Sequence, residues 1–115
     1  MYCFDKTRRL LNKTEYDYVF DQAKKIVTTE FIILYRDNMI GQARLGLALS
    51  KKMISKAHHR NRIKRLLRET FRTNKSLPAV DIIMLARPGI GKISNAVINA
   101  KLGKAWNKLS VSYEK

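Results

Sequence analysis

The segment of this sequence with the clearest chemistry is HHRNRIKRLLRETFR, which runs from residue 58 to residue 72. It carries six Arg or Lys side chains and a single acid, Glu69. A guanidinium group donates several N–H bonds from a planar fork that matches phosphate oxygens and base edges. The segment therefore predicts a surface that binds a polyanion, and nucleic acid is the polyanion that arginine suits best.

The positive charge of the chain is unevenly distributed. The net charge is +15, yet residues 1–37 are nearly neutral, with seven basic and six acidic side chains. Residues 51–75 hold ten basic side chains against one acid, a local excess of nine. Such self-repulsion is tolerable when a polyanion neutralises it. The alternative, an ordinary solvated basic face, does not explain so local an excess, but the pattern does not distinguish RNA from DNA.

A helix over residues 55–73 would position these charges. Ile63, Leu66, Leu67, Thr70 and Phe71 recur at helical spacing and predict a buried stripe, which leaves a cationic face toward solvent. Lysines just before the helix extend that face. The candidate nucleic-acid contacts are Arg60, Asn61, Arg62, Lys64, Arg65 and Arg68, together with Lys51, Lys52 and Lys56.

The other elements predict an α+β fold in the order α-β-β-β-α-β-α. Thr14 is a suitable N-cap for a first helix that ends near Lys24. Strands are expected over 26–37 with a break near Thr28 and Thr29, over 43–50 and over 80–87, and a last helix over 94–112. One sheet with helices packed on it gives a two-layer α/β sandwich. The 115 residues suit one domain, with residues 1–13 as an irregular basic arm.

Two aromatic residues of the first helix, Tyr16 and Phe20, lie one helical turn apart. Considered alone, such a pair is most simply part of the core. Tyr35 on the following strand shares a face with Phe31 and Ile33, so burial and an open position compete for it.

Hydrolytic machinery is not evident in the sequence. No Ser/His/Asp set or close carboxylate pair stands out, and the adjacent His58 and His59 lack further metal ligands. The segment RPGIGK lacks the spacing of a phosphate-binding loop. We therefore expect no catalytic residue and no metal bound by the protein itself. The single Cys3 and the lack of a long apolar run lead us to expect a cytoplasmic protein without membrane contact.

The basic segment also resembles a known signature. RNRIKRLLRETFR, preceded by KKMISKAH, is similar to the RNR motif of the bacterial ribonuclease P protein component. TEYDYVF resembles the first-helix aromatic motif of that family, ARLGLALSKK the strand before the signature, and PAVDIIMLARPG the strand after it. The resemblance covers about residues 4–109, in the correct order and spacing.

This resemblance implies a function that composition alone could not supply. The family protein joins a catalytic RNA in a 1:1 complex that removes the 5′ leader of precursor tRNA, and the RNA carries the chemistry with Mg²⁺. The basic residues named above would then face the catalytic RNA, with Lys51, Lys52 and Lys56 as secondary contacts. Tyr16 and Phe20, joined by Tyr35, would line a cleft for the single-stranded leader. The family also implies a left-handed βαβ crossover, whereas about 98% of such units are right-handed.

Four other functions fit part of the pattern. A ribosomal-type RNA-binding protein would share the charge but needs no leader cleft. A helix-turn-helix DNA regulator fits less well because the basic helix lies between strands. An RNA-recognition-motif domain would need aromatic strand motifs that are missing here. A protein-only nuclease would need acidic or histidine chemistry that the sequence does not offer.

Overall fold

The computed structural model describes residues 9–10, 12–38, 41–74 and 77–114, and of residues 112–114 only the backbone. The elements follow the expected order. They are α1 (Lys13–Gln22), β1 (Lys24–Val27), β2 (Phe31–Asp37), β3 (Arg44–Ala48), α2 (Ala57–Thr73), β4 (Val80–Ala86), a short 3-10 helix (Ile90–Lys92) and α3 (Asn95–Glu114). The α+β class is confirmed, and the chain breaks between β1 and β2 where the two threonines predicted it.

The four strands form one mixed sheet in the order β1-β2-β4-β3. β2 pairs antiparallel with both β1 and β4, whereas β3 and β4 are parallel neighbours. The chain between β3 and β4 contains α2, so these three elements form the expected βαβ unit. The left-handed crossover that the resemblance implies stays a prediction.

The main core lies between one face of the sheet and the helices α2 and α3. Ile33, Ile82 and Met84 are fully buried there with the predicted leucine stripe of α2. Trp106 of α3 packs edge-on against Phe71 of α2, with ring centroids 5.8 Å apart. Its indole Nε1 donates to Thr70 Oγ1 at 3.1 Å, so the one polar atom of the ring is satisfied. This packing fixes α2 with its charged face outward.

Helix α1 packs on the opposite face of the sheet, where Val19 joins Ile83 and Leu10 in a smaller cluster. The two-layer description therefore holds for the sheet with α2 and α3, and α1 alone covers part of the second face. The cap of α1 lies two residues earlier than expected. Asn12, not Thr14, is the N-cap, and its side chain accepts from the Glu15 N–H at 3.0 Å. The Thr14 prediction was wrong because either residue type can cap a helix, and the path of the chain into α1 selects Asn12.

The basic arm predicted over residues 1–13 lies mostly outside the described residues. Arg9 and Leu10 are described, and they run beside β3, where the Leu10 N–H donates to the Leu45 carbonyl at 3.0 Å. In the described part of the chain, no helix combines the length and apolarity needed to cross a bilayer.

Candidate nucleic-acid interface

The outward face of α2 is a cationic surface. Asn61, Arg65 and Arg68 are exposed, and Lys64 is half-buried beside them. Arg65, Arg68 and Lys64 make no hydrogen bond or ion pair with any described residue. We call this surface, extended by Lys51, Lys52 and Lys56, the α2 patch.

Two of the predicted RNA contacts, Arg60 and Arg62, also have structural partners. Arg60 Nη1 donates to the carbonyls of Ile54 and Ser55 at 2.8 and 3.1 Å, which secures the turn before α2. Arg62 lies on the other flank of the helix and donates to the Ile93 and Gly91 carbonyls at 3.0 and 2.9 Å, and to Asn95 Oδ1 at 2.5 Å. These two arginines therefore position α2, whereas Arg65 and Arg68 are available for a ligand.

Replacing Arg62 with alanine should destabilise the protein because it removes the donors of two backbone carbonyls and one amide oxygen. Hydrogen bonds from charged groups contribute about 1.5–3 kcal/mol, so we expect a loss of that size in the free energy of unfolding. Urea denaturation measures it. Arg65→Ala, on the same helix but without partners among the described residues, is the matched control and should unfold like the wild type. Equal stability of both variants would contradict the structural role of Arg62.

Other titratable groups near α2 change the charge of the patch little. Burial, and then electrostatic repulsion from neighbours that include Arg62 and Lys56, lower the pKa of His59, which favours its neutral form. Glu69, the one acid of the segment, pairs with Arg72 at 2.6 Å. Glu69 therefore does not neutralise Arg65 or Arg68.

The lysines that extend the patch lie just after β3. Lys51 and Lys52 are exposed in the turn that follows β3, and exposed Lys56 is the N-cap residue of α2. The α2 patch therefore reaches the end of the sheet at which β3 finishes.

The second sheet face is built from rows of residues that the strand register places side by side. The row nearest the end of β3 is Val27, Ile32, Leu85 and Ala48. The next row is Lys25, Leu34, Ile83 and Gly46, and the third is Arg36, Asp81 and Arg44. Val19 of α1 packs on Ile83 of the middle row, so the helix lies over that row with one row on each flank.

One flank of α1 is fixed to the third row by charged groups. Arg44 donates to both oxygens of the buried Asp81 at 2.8 and 2.7 Å, and to Glu15 of α1 at 2.8 Å. The hydrogen bonds to Asp81 raise the pKa of Arg44 above its ordinary value. Farther along, the Arg36 guanidinium lies 3.8 Å from the centre of the Tyr18 ring. These contacts hold the helix against the sheet and assign Tyr18 a structural role.

The opposite flank of α1 carries Tyr16 and Phe20, since these positions project away from Glu15 and Tyr18 at about 3.6 residues per turn. Tyr16 is half-buried, and its hydroxyl accepts from the Leu47 N–H at 3.1 Å. Phe20 is 48% exposed. Beside this flank the first row remains partly open, with Val27 47% exposed and Ile32, Leu85 and Ala48 half-buried. Tyr16, Phe20 and that row form what we call the aromatic cleft.

Tyr35 does not belong to the aromatic cleft. It is 5% exposed and lies in the main core, on the sheet face that packs against α2 and α3. The expectation that it lines the cleft with Tyr16 and Phe20 is therefore corrected, because consecutive strand residues point to opposite faces. The β2 residues on the α1 face are Ile32 and Leu34. The shared face of Phe31, Ile33 and Tyr35 was visible in the sequence, but Ile32 and Leu34 form a second apolar set, so the alternation did not show which face meets the main core.

Gly46 makes room for the Tyr16 ring. A Cβ atom at residue 46 would lie 2.8 Å from Tyr16 Cζ and 2.9 Å from a Leu10 methyl carbon. Overpacking of this kind costs about 1–3 kcal/mol. We therefore expect Gly46→Ala to lower the free energy of unfolding by that amount. Urea denaturation measures this change, and Gly103→Ala, at an α3 position with open space around it, is the control that should be neutral or stabilising. A Gly46→Ala protein as stable as the wild type would contradict this packing.

The described residues contain no group of three or more His, Cys, Asp or Glu side chains that could hold a metal ion. Their arrangement supplies instead a cationic surface and an aromatic cleft, both suited to nucleic acid with unpaired bases. Cations neutralise phosphates, and aromatic faces stack on unpaired bases of any sequence.

Comparison with known proteins identifies the family. The family model for ribonuclease P matches residues 4–110. The chain belongs to the ribonuclease P protein family. It is 63% identical to the ribonuclease P protein component of Legionella pneumophila strain Corby over 115 residues, which is the full length of both proteins. Identity to the Photorhabdus laumondii protein component is 42% over 106 residues, or 91% of this chain and 89% of the relative.

Solved structures of the ribonuclease P protein family share the fold. The Staphylococcus aureus protein matches with a TM-score of 0.82 at 27% identity, covering 91% of this chain and 96% of the other. The Thermotoga maritima protein matches with a TM-score of 0.77 at 28% identity, covering 87% and 96%. The resemblance stated from the RNR segment and its flanking motifs is therefore confirmed.

Proposed function

We propose that this chain is the protein subunit of a ribonucleoprotein endonuclease that removes the 5′ leader of precursor tRNA. Two different RNA segments would bind it: the catalytic RNA on the α2 patch, and the leader in the aromatic cleft. The observation that carries the proposal is the pairing of these two surfaces. One offers exposed cations without partners among the described residues, and the other offers Phe20 at 48% exposure beside an open apolar row.

The α2 patch would act by neutralising phosphates. RNA segments that approach each other in the catalytic centre repel, and cations on a rigid helix offset that repulsion. The complex would then need less Mg²⁺, which we expect to be held by the RNA and to supply the hydrolytic chemistry. Arg65, Arg68 and Lys64 are the side chains best placed for direct contacts, while Arg60 and Arg62 hold the helix in position.

The aromatic cleft would distinguish substrate from product. Stacking on aromatic side chains contributes about 1–3 kcal/mol per base and depends little on sequence, so one cleft can accept many leaders. Mature tRNA lacks the leader and gains nothing from the cleft. The protein would thereby favour precursor binding and product release, in a 1:1 complex with the catalytic RNA in the cytoplasm.

The experiment is precursor-tRNA cleavage by a bacterial ribonuclease P RNA at low Mg²⁺, with and without this protein. We expect the protein to restore cleavage at the mature 5′ end. The Arg65→Ala/Arg68→Ala variant should remain folded and serves as the control, because it should restore much less cleavage than the wild type. A protein that binds the RNA but leaves the cleavage rate unchanged would be a general RNA binder, as a ribosomal-type protein is, and would refute the proposal.

A further inference from the structure

A second basic surface lies at the β1 edge of the sheet, in a groove of about 540 Å³ between α3 and the β1–β2 turn. Lys101, Lys104 and Lys108 line one wall, because spacings of three and four residues share one helix face. Residues 27–30 and Arg87 line the other wall. None of these lysines belongs to the RNA contacts described above. We call this surface the lysine groove.

The lysine groove is strongly positive. It holds four basic side chains, Arg87 and the three lysines, against the single acid Glu30, which leaves an excess of three positive charges. Glu30 is 8% exposed, and its carboxylate lies 3.9 Å from Lys101 Nζ, so its charge is partly compensated inside the protein.

Two of these lysines are available to a ligand. Lys104 and Lys108 are exposed and make no hydrogen bond or ion pair with any described residue. Among the residues that the structure describes, those lining the groove include no aromatic side chain. This chemistry favours phosphates over bases.

The lysine groove adjoins the aromatic cleft at one residue. Val27 ends the apolar row at the edge strand β1, and Val27 is also among the residues that line the lysine groove. At the other end of that row, Ala48 of β3 leads directly to Lys51 and Lys52 of the α2 patch. A strand of RNA that crosses the sheet along the row therefore has the α2 patch at one end and the lysine groove at the other.

We infer that the lysine groove binds the backbone phosphates of the upstream part of the precursor-tRNA leader, beyond the bases held in the aromatic cleft. The direction in which the leader runs along the row follows from the position of the cleavage junction. The cleavage junction must lie at the catalytic RNA, and hence near the α2 patch, so the leader leaves the row at its β1 end. This inference rests on the proposed function, because it requires the leader to occupy the cleft.

The test is the affinity of the assembled enzyme for precursor tRNAs whose leaders are lengthened one nucleotide at a time, under conditions that block cleavage. For the wild type, affinity should rise in two stages, as the leader fills first the cleft and then the groove. Lys104→Gln/Lys108→Gln should keep the first stage and abolish the second, which lowers the affinity for long leaders by about tenfold. The salt dependence of long-leader binding should decrease by about 0.7 log units for each phosphate that is no longer neutralised.

Two control variants make the result specific. Lys104→Arg/Lys108→Arg keeps the charge and should keep the second stage. Lys13→Gln/Lys24→Gln removes the same charge from exposed positions outside the groove and should match the wild type at every leader length. An unchanged circular dichroism spectrum and urea midpoint for all variants would exclude a loss of folding.

Three outcomes would overturn the inference. The glutamine variant could follow the wild type at every leader length, which would leave the groove without a role. The glutamine variant could bind mature tRNA, or the catalytic RNA alone, more weakly by the same factor as it binds the long-leader precursor. That result would assign the groove to another RNA contact. If the wild type itself showed no dependence on leader length, the proposed function would fail together with the inference, and that result is distinct from the other two.

Discussion

Replacing Arg65 and Arg68 together with alanine is expected to produce the largest loss of affinity for the catalytic RNA. Both side chains are exposed on α2 and have no partner among the described residues, so each is available for phosphate oxygens. A charge-assisted hydrogen bond contributes about 1.5–3 kcal/mol, which corresponds to roughly a ten- to hundredfold effect for each arginine. Stability should not change, because neither side chain packs in the core.

The measurement is a binding titration across a series of salt concentrations. The slope of log affinity against log salt should become shallower by about 0.7–0.9 for each phosphate that is no longer neutralised. Arg65→Lys/Arg68→Lys is the matched control: it keeps the charge, so it should keep the slope while losing the bidentate part of the affinity. An alanine variant with the slope and affinity of the wild type would show that the RNA binds elsewhere.

Replacing Tyr16 and Phe20 together with alanine is expected to lower the affinity of the assembled enzyme for precursor tRNA and leave that for mature tRNA unchanged. If each ring stacks on one base, the loss is about 1–3 kcal/mol per ring. Tyr16 also accepts a hydrogen bond from the Leu47 N–H, so the double variant should lose some stability. Phe20→Ala alone avoids this complication, because Phe20 is half exposed.

Parallel titrations with precursor and mature tRNA measure this effect. Tyr18→Phe is the matched control, since Tyr18 lies on the same helix but on the flank that faces Arg36 and Asp37. The Tyr18→Phe variant loses only the hydrogen bond to the Asp37 carbonyl. It should therefore prefer precursor tRNA over mature tRNA as strongly as the wild type does. Equal losses for precursor and mature tRNA in the alanine variants would show that the aromatic pair supports the fold and does not hold the leader.

Helix α2 was predicted well from the sequence because one of its faces is apolar and the other is charged. The stripe of Ile63, Leu66, Leu67 and Phe71 located α2 to within two residues at its start and correctly at its end. The same pattern identified its outward cations, because helical spacing alone decides which side chains oppose the stripe.

The strand β2 was harder to interpret because both of its faces are apolar. In FIILY, either set of alternate residues can face the main core, and only the position of α1 decides between them. That decision is a tertiary one, and it places Tyr35 in the core and Leu34 under α1. Local spacing is not sufficient at such a strand, since a shift of one residue exchanges the two faces.

The structural role of Arg62 was also beyond local patterns. Helical spacing placed Arg62 on a separate flank, but its acceptors lie 29 to 33 residues farther along the chain. Backbone carbonyls carry no sequence signal, so only the packed structure shows that this arginine joins α2 to the segment before α3. The charge of a side chain predicts its class of partner, and the fold determines which partner it meets.

The most direct test of the two-surface mechanism is the ratio of precursor to mature tRNA affinity, measured for the catalytic RNA alone and for the RNA with this protein. We expect the protein to raise the ratio about tenfold or more, because only the precursor has a leader to stack in the cleft. If the protein raised both affinities by the same factor, the leader would contribute nothing to the binding of precursor tRNA by the protein. The aromatic cleft would then not be a leader-binding site.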